Sequence, residues 1–237
     1  MTEPNSPGEN RLLRRLDPDD LFRLQPNLKK IAMERGTVVH PAGMAIAHVY
    51  FPVSGMISIV ALMKSGEAIE TAIVGREGVV GASAGTNGSK AAGQAVVQIS
   101  GSAWQIPSVK FSDLYKESAS FRTLINNYQT VILLQAQQSA ACHALHTVEA
   151  RLCRWLLQSQ DTTGTDMIPL TQEFLSHMLG VRRTTVSLCA HTLQQAGLIS
   201  YSRGAIKILD RPGLLDSACE CYEVVREHID NAVPPIL

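Results

Sequence analysis

The sequence has few aromatic residues, no excess of charge and no long apolar run. Phe, Trp and Tyr make up 5% of the 237 residues, which disfavours a stacking platform for single-stranded nucleic acid. The 21 Lys and Arg residues balance 21 Asp and Glu residues, so any basic surface must come from an uneven distribution of charge. No apolar segment approaches the roughly 18 residues that cross a bilayer, and we expect no membrane partner.

The sequence also shows no motif of a familiar enzyme class in its expected setting. No GxSxG, P-loop, HExxH or paired-carboxylate pattern stands in a recognisable frame, which predicts that the protein is not an enzyme. The first ten residues lack the apolar core of a secretory signal, and the five cysteines are odd in number. Both features predict a cytoplasmic protein with reduced thiols. Hydrophobic residues, at 45%, supply enough apolar surface for one or two folded domains.

Residues 31–117 contain short β-rich runs, which predict a sandwich or a barrel. Glycines separate the runs at turn positions. The runs cover residues 37–39, 48–51, 56–60, 68–74, 95–99 and 103–106. Before them, residues 1–30 predict a loose tail and a short helix, in which Asp17 is the N-cap and Pro18 the first helical residue.

Residues 118–145 predict one long helix with an apolar stripe. Apolar residues recur at alternating steps of three and four, which suits pairing with the same helix of a second copy. Gln138 lies in the same series, and a polar residue there would fix the register of the pair. The alternative is a helix that packs only on its own domain. The predicted dimer interface consists of Leu124, Val131, Leu134, Gln138, Ala141 and Leu145.

Within residues 146–237, the segment 171–193 predicts a helix-turn-helix. Thr171 can cap the first helix, and Gly180 suits a tight turn before the second. The residues expected to pack the second helix on the first are Val181, Val186, either Leu188 or Cys189, and Leu193. Polar side chains left outside can reach base edges from the start of the second helix. These base-reading candidates are Arg182, Arg183, Thr184, Ser187 and His191.

A basic hairpin follows the second helix. Two short β runs flank Ser202-Arg203-Gly204, so the unit is predicted to be a winged helix-turn-helix. Residues 182–211 have a net charge of +4, whereas residues 212–237 have a net charge of −4 and hide that patch in the total. The patch favours double-stranded DNA as a partner over the alternative, a signal-binding interaction module without sequence-specific DNA binding. The candidate phosphate contacts in this region are Thr185, Arg203 and Lys207.

The order of these units resembles the Crp/Fnr superfamily of bacterial transcription regulators. The motifs that carry the resemblance are the 50–55 turn (YFPVSG), 75–78 (GREG), 142–146 (CHALH) and 218–222 (ACECY). The resemblance implies an α+β fold: an N-terminal β-roll of cyclic-nucleotide-binding type over 31–117, a dimerisation helix over 118–145, and a C-terminal winged helix-turn-helix over 146–237. It also implies a symmetric homodimer on a palindromic operator, with RNA polymerase and a small-molecule effector as further candidate partners.

The resemblance also assigns roles to single residues. Arg183 takes the place of the leading base-reading arginine, whose fork can bind guanine O6 and N7. Thr184 stands where glutamate is common, and Leu188 stands where the cAMP receptor protein has a second arginine, so a different operator is expected. Thr171 and Gln172 match positions that contact phosphate at the start of the first helix.

The resemblance suggests a cyclic nucleotide as the effector of the roll, but the residues at the matching positions do not favour one. Members that hold cAMP use a Gly-Glu pair and an Arg-Ser or Arg-Thr pair, whereas this chain has Gly81-Ala82 and Gly93-Gln94 in those places. Losing the arginine removes the bidentate contact to a cyclic phosphate, so cAMP and cGMP are not expected. The residues that could still form an effector pocket are Arg76, Glu77, Lys90 and Gln94.

No cofactor or metal is predicted. Iron–sulfur members of the family cluster cysteines near the N-terminus, whereas the first cysteine here is Cys142. His40 and His48 could ligate haem, but lone histidines in a roll are more often ordinary residues. Cys219 and Cys221 are judged too closely spaced and too isolated for zinc. A thiol–imidazole pair at the 142–146 hinge could sense oxidants, and hinge packing explains those residues equally well.

Overall fold

The computed structural model describes residues 6–86, 90–202 and 204–234. It confirms the predicted fold class, an N-terminal β-roll followed by a long helix and a winged helix-turn-helix. The strands are β1 (Lys29–Met33), β2 (Val38–His40), β3 (His48–Leu62), β4 (Ala68–Val74), β5 (Gln94–Pro107), β6 (Met167–Ile168), β7 (Ile199–Ser202) and β8 (Ala205–Ile208). The helices are α1 (Pro18–Leu24), α2 (Ser108–Glu117), α3 (Ala119–Leu145), α4 (Val148–Thr163), α5 (Gln172–Leu179), α6 (Arg183–Gln195), α7 (Arg211–Ser217) and α8 (Cys221–Ala232).

Two long antiparallel strands, β3 and β5, form the centre of the roll. The sheet has the order β1-β5-β3-β4, and β2 also pairs with β5. Strand β5 pairs with β1 through its C-terminal half and with β2 through its N-terminal half, so one strand serves both ends of the roll. Apolar side chains that alternate along the strands point inward and meet the apolar faces of α2 and α3.

The start of α3 is fixed by a small polar network. Ser118 caps α3 by accepting a hydrogen bond from the Phe121 amide, and its hydroxyl also donates to Asp20 at 2.8 Å. Asp20 lies on α1, which begins at Pro18 after Asp17 as predicted, although the Asp17 side chain makes no capping hydrogen bond. Helix α1 therefore closes over the junction between the roll and α3.

One face of α3 packs on the roll along most of the helix. Its buried residues are Phe121, Ile125, Tyr128, Val131, Gln135, Ser139 and Cys142. Gln135 pairs with the backbone of Ile73 on β4 through two hydrogen bonds, of 3.2 and 3.3 Å. A Cβ atom on Gly78 would lie 1.7 Å from the Tyr128 hydroxyl, so only glycine allows the 75–78 turn to approach the helix this closely.

The C-terminal domain docks on the outside of the roll. Its core of Leu152, Trp155 and their neighbours on α4, α5 and α6 is continuous with Met56, Ile73 and Ile99 from the roll strands. Trp155 donates a 2.7 Å hydrogen bond from Nε1 to buried Glu70 on β4. In the part of the chain that the structure describes, no helix combines the length and the apolar character needed to cross a bilayer.

The buried Glu70 predicts a pH dependence of stability. Burial raises the pKa of Glu70 from its ordinary 4.5 to about 7, against hydrogen bonds from Ser58 and Trp155 and the charge of Arg154. The folded protein therefore keeps a proton that the unfolded chain has lost, and the contribution of Glu70 to the free energy of unfolding falls as the pH rises from about 4.5 to 7. The whole fall is about 3 kcal/mol at most, since one pKa unit corresponds to about 1.4 kcal/mol.

We expect Glu70→Gln, which cannot titrate, to lack this part of the fall. The measurement is urea unfolding followed by circular dichroism at pH 5 and pH 8, with exposed Glu67→Gln as the matched control. The control should follow the wild type. A wild-type difference between the two pH values equal to that of Glu70→Gln would contradict a protonated Glu70.

Candidate nucleic-acid interface

Helices α5 and α6 form the helix-turn-helix, and their ends are set by local chemistry. Thr171 is the N-cap of α5, and its hydroxyl accepts a 3.2 Å hydrogen bond from the Phe174 amide. Gly180 ends α5 with φ of +62°, in the left-handed region that favours glycine. The amide of Val181 then donates to the Ser176 carbonyl oxygen at 3.0 Å, which closes the turn before α6.

The buried side of α6 settles the choice that the sequence left open. Val186, Ala190 and Leu193 are buried. Cys189 also packs against the core of the domain, whereas the side chain of Leu188 is 66% exposed. Leu188 therefore lies on the outer face of α6, beside the residues that were predicted to read bases.

The predicted base-reading residues lie on the outer face of α6 and at its start. Arg182 is the N-cap of the helix, and Arg182, Arg183, Thr184 and His191 are exposed. In the described residues, neither guanidinium forms an ion pair, so both remain available to a ligand. Ser187 is half-buried, and its hydroxyl donates to the Arg183 carbonyl oxygen at 3.0 Å. Ser187 is thus the one base-reading candidate whose donor is already used within the helix.

The predicted phosphate contacts come from α5, α6 and the wing. Thr171 is exposed and Gln172 is half-buried at the start of α5, and Thr185 is half-buried in the first turn of α6. Lys207 is exposed on β8, between buried Ile206 and Ile208, so it points away from the domain core. Arg203 lies outside the described residues.

Two protein families match the chain. The cyclic nucleotide-binding domain family matches residues 30–118, and the Crp-like helix-turn-helix domain family matches residues 150–217. Together they span the roll and the winged helix-turn-helix in the order that the structure shows. The chain belongs to the Crp/Fnr superfamily. It is a DNA-binding transcription regulator.

Several solved structures share the fold along most of the chain. A putative transcriptional regulator of this family from Eubacterium rectale has a TM-score of 0.70 at 20% identity, over 89% of this chain and 98% of that one. FixK2 from Bradyrhizobium japonicum has a TM-score of 0.69 at 16% identity, over 81% and 98% of the two chains. The c-di-GMP-responsive global regulator CLP from Xanthomonas campestris has a TM-score of 0.66 at 18% identity, over 82% and 100%. No curated protein matches the sequence.

The Crp/Fnr roll of this chain contains a cavity of about 470 Å³ against α3. Among the lining residues that the structure describes, none is arginine, lysine or a carboxylate; the polar ones are His40, Thr71, Ser83, Tyr128 and Gln129. The His40 Nε2 atom lies 2.7 Å from the His48 carbonyl oxygen, and burial lowers the pKa of His40. The cavity therefore offers mainly apolar contacts and a few hydrogen-bonding groups.

Part of that lining fits the letters of a hydrolase motif without the matching structure. Residues 81–85 read G-A-S-A-G and include Ser83. A nucleophile elbow needs a strand, a sharp turn and a following helix, whereas residues 82–85 form a short 3-10 helix within the roll. The only histidine in the described lining is His40, which is occupied by the His48 carbonyl group.

The four predicted effector residues do not come together, which corrects that expectation. Arg76 and Glu77 line a second cavity of about 480 Å³, between the roll and the C-terminal domain. Glu77 is buried in the turn, where it accepts a 2.7 Å hydrogen bond from the Gly75 amide. Lys90 is exposed, and Gln94 is half-buried at the start of β5, next to the α3-facing cavity. The 75–78 turn thus has a structural role, in contact with α3 and beside the second cavity.

The predicted dimer stripe on α3 also needs a correction. Val131 is only 4% exposed within a single chain, so it packs on its own subunit and is not free to meet a partner. Leu124, Leu134 and Gln138 are half-buried, and Ala141 and Leu145 are exposed. The predicted stripe lies at the margin of the buried face. With 3.6 residues per helical turn, apolar residues at steps of three and four can belong either to the face that packs on the roll or to the face that would meet a partner.

The sequence-based reasoning missed one cluster because its parts lie far apart in the chain. It treated Cys219 and Cys221 as isolated, and this was wrong. Their thiols converge with Cys142 and His146, and the four potential ligand atoms lie within 4.8 Å of one another. The available signal was the presence of two short segments, 142–146 and 219–221, that each contain two potential metal ligands.

The turn between α5 and α6 gives a prediction on stability. Gly180→Ala should destabilise the protein by about 1–2 kcal/mol, because an L side chain is strained in the left-handed region. The added Cβ would also lie 3.0 Å from Ile69 Cδ1 on β4. Thermal unfolding measures the loss, and Gly180→Asn is the control, since asparagine adopts this conformation more readily than alanine. Equal stability of Gly180→Ala and the wild type would contradict the geometry of the turn.

Proposed function

We propose that this regulator binds a palindromic operator as a symmetric homodimer, and that a signal at the roll controls its affinity. The observation that carries the proposal is the pair of exposed guanidinium groups at the start of α6, Arg182 and Arg183, which form no ion pair with the residues that the structure describes. Lys207 of the wing is exposed as well, and residues 182–211 have a net charge of +4 although the whole chain has none. A cationic helix start on one surface fits the major groove and the anionic backbone of a duplex.

Within each half-site, some residues would contact base edges and others would contact phosphates. Arg183 would donate two hydrogen bonds to guanine O6 and N7, and Thr184, His191 and exposed Leu188 would contact neighbouring base edges. The amides at the start of α5, with Thr171 and Gln172, and the wing residue Lys207 would bind phosphates and fix the register. Phosphate contacts of this kind supply affinity for any sequence, whereas Arg183 supplies the preference for one.

The dimer would form along the face of α3 that the roll leaves uncovered. The apolar residues on it are Leu133, which is 58% exposed, Leu145, which is 79% exposed, and Ala140, Ala141 and Ala144. The positions recur at steps of three, four and seven, as in a coiled coil with small residues that allow close approach. Leu134, Ala141 and Leu145 of the predicted stripe remain at this surface, whereas Val131 does not.

The same segment of α3 lines the cavity and contributes to the proposed dimer face. Tyr128, Gln129, Ile132 and Leu133 of α3 line the 470 Å³ cavity, and Leu133 also reaches the exposed face. A small, largely apolar ligand there would change the packing of α3 against its mate. The two recognition helices must lie about 34 Å apart to enter successive major grooves, so a change in that packing would change operator affinity.

The DNA contacts can be tested with two alanine variants. Once an operator has been selected from random duplexes, Arg183→Ala should weaken binding by about 1–3 kcal/mol and relax the preference at one base pair. Lys207→Ala should weaken all sequences alike and reduce the dependence of affinity on salt concentration. Fluorescence anisotropy over a salt series measures both effects, and exposed Arg14→Ala is the matched control.

A modified base makes the Arg183 test sharper. Replacing the guanine at the affected position by 7-deazaguanine removes the N7 acceptor, which should weaken the wild type and leave Arg183→Ala unchanged. If Lys207→Ala altered the sequence preference and Arg183→Ala did not, the two roles would be reversed. If no duplex bound more tightly than random DNA, the chain would be an interaction module without sequence-specific DNA binding.

The dimer face is tested by placing a charge on it. Leu133→Glu should shift the protein from dimer to monomer at micromolar concentration and weaken operator binding at the same time, because each half-site alone is weak. Sedimentation equilibrium measures the first effect and a gel shift the second. Val109→Glu, at an apolar position of α2 that is 67% exposed, is the matched control and should remain dimeric. A wild type that is monomeric and still holds its operator tightly would refute the dimer.

A further inference from the structure

Three thiols and one imidazole meet at the junction between α3 and α8. Cys142 lies in the last turn of α3, and His146 is the C-cap of that helix. Cys219 lies between α7 and α8, and Cys221 is the first residue of α8. All three cysteines are buried, and His146 is half-buried. Two chain segments about 75 residues apart in sequence therefore supply two ligands each.

The spacing of the four atoms suits a single tetrahedral ion. The Sγ atoms of Cys142 and Cys219 lie 3.5 Å apart, and Cys221 Sγ lies 3.5 Å from His146 Nδ1. Zinc–sulfur bonds of about 2.3 Å at tetrahedral angles place two sulfur ligands about 3.8 Å apart. An iron–sulfur cluster would need some of the ligands further apart than 4.8 Å, because they bind different iron atoms of the cluster. The geometry therefore favours one small ion with soft ligands.

The groups around the cluster are arranged as those around metal ligands commonly are. His146 turns Nδ1 to the cluster, and its Nε2 lies 3.2 Å from a Glu220 carboxylate oxygen. Metal-binding histidines usually donate their second N–H to a carboxylate or carbonyl in this way, which fixes the tautomer. Gln138 donates from Nε2 to Cys221 Sγ at 3.1 Å, a hydrogen bond that would stabilise a thiolate.

Buried positive charge beside the cluster points to an anionic centre. Arg151 and Arg154 on α4 are 5% and 7% exposed, and Arg151 donates a 3.3 Å hydrogen bond to the carbonyl oxygen of His143, within the 142–146 segment. Among the described residues, neither arginine forms an ion pair, and the Nε atom of each has no hydrogen-bond partner. A buried charge without a counter-ion is costly. Three thiolates, a neutral imidazole and a divalent cation have a net charge of −1, which would balance one of these guanidinium groups.

We propose that Cys142, His146, Cys219 and Cys221 form a Zn²⁺ site that joins the end of α3 to the start of α8. Zinc with three cysteines and one histidine is a common closed structural site. Binding releases the remaining thiol protons to solvent and leaves no open position for catalysis. The ion would fix the C-terminal domain to the dimerisation helix at the hinge, and it requires neither an effector in the roll nor any particular operator.

Metal analysis of the full-length chain tests the site. Protein purified under reducing conditions and dialysed against metal-free buffer should retain about one zinc per chain by mass spectrometry of the elements. Cys142→Ser and Cys219→Ser should lose it, and Cys189→Ser, the matched control, should keep it, because Cys189 lies outside the cluster. Loss of zinc in the Cys189→Ser control equal to that in the cluster variants would overturn the assignment, as would copper or iron in place of zinc.

A cobalt titration keeps the proposal falsifiable if the serine variants fold poorly. Wild-type protein stripped of metal and titrated with Co²⁺ should develop the strong visible bands of a tetrahedral ion and a thiolate charge-transfer band, both removed by one equivalent of Zn²⁺. His146→Ala should retain weaker, shifted bands. Absence of the tetrahedral spectrum, or a Cys142–Cys219 disulfide in the reduced preparation, would overturn the proposal. Operator binding is a separate readout, so a failed metal test leaves the DNA-binding proposal standing.

Discussion

The structure depends on how α3 divides its surface. Its inner face is held to the roll by the two hydrogen bonds between Gln135 and Ile73 and by the close contact of Tyr128 with Gly78. A helix fixed in this way cannot rotate freely, so the residues on its outer face are determined by those on its inner face. Burial of Val131 on the inner side leaves Leu133 and Leu145 outside. The proposed dimer, the cavity and the thiol cluster are all placed by this one orientation.

The docking of the C-terminal domain on the roll is the second constraint, and it is partly polar. Trp155 reaches across to Glu70, and roll residues Met56 and Ile99 complete the core of the C-terminal domain. Burial raises the pKa of Glu70, so a neutral carboxyl group can occupy this contact near neutral pH. The stability of a contact that contains a titratable group changes with pH, whereas that of a purely apolar contact does not. Such a junction suits a regulator whose DNA-binding domain must respond to events in the roll.

The sequence predicted the features that are local in the chain and failed where distant segments meet. The Thr171 cap, the Gly180 turn and the outer face of α6 follow from neighbouring residues, and the structure has the cap and the turn at those positions. The predicted dimer stripe included buried Val131, because residue spacing alone does not show whether a side chain at the margin of the buried face of α3 faces the roll or the solvent. The effector residues were grouped by resemblance, yet Arg76 lines the cavity between the roll and the C-terminal domain and exposed Lys90 does not. The spacing of residues in one sequence does not show which cavity a turn will line.

The thiol cluster is a site that the sequence failed to predict because its ligands come from distant segments. Cys219 and Cys221 are separated by one residue, so by themselves they cannot surround an ion, and the inference from their spacing alone was reasonable. What changes it is the fold: α8 packs along α3, so the end of one helix meets the beginning of the other. Among the described residues, the buried arginines of α4 form no ion pair, and an anionic metal centre would supply the missing negative charge. A hinge held by such an ion would transmit movement of α3 to the recognition helices as a rigid unit.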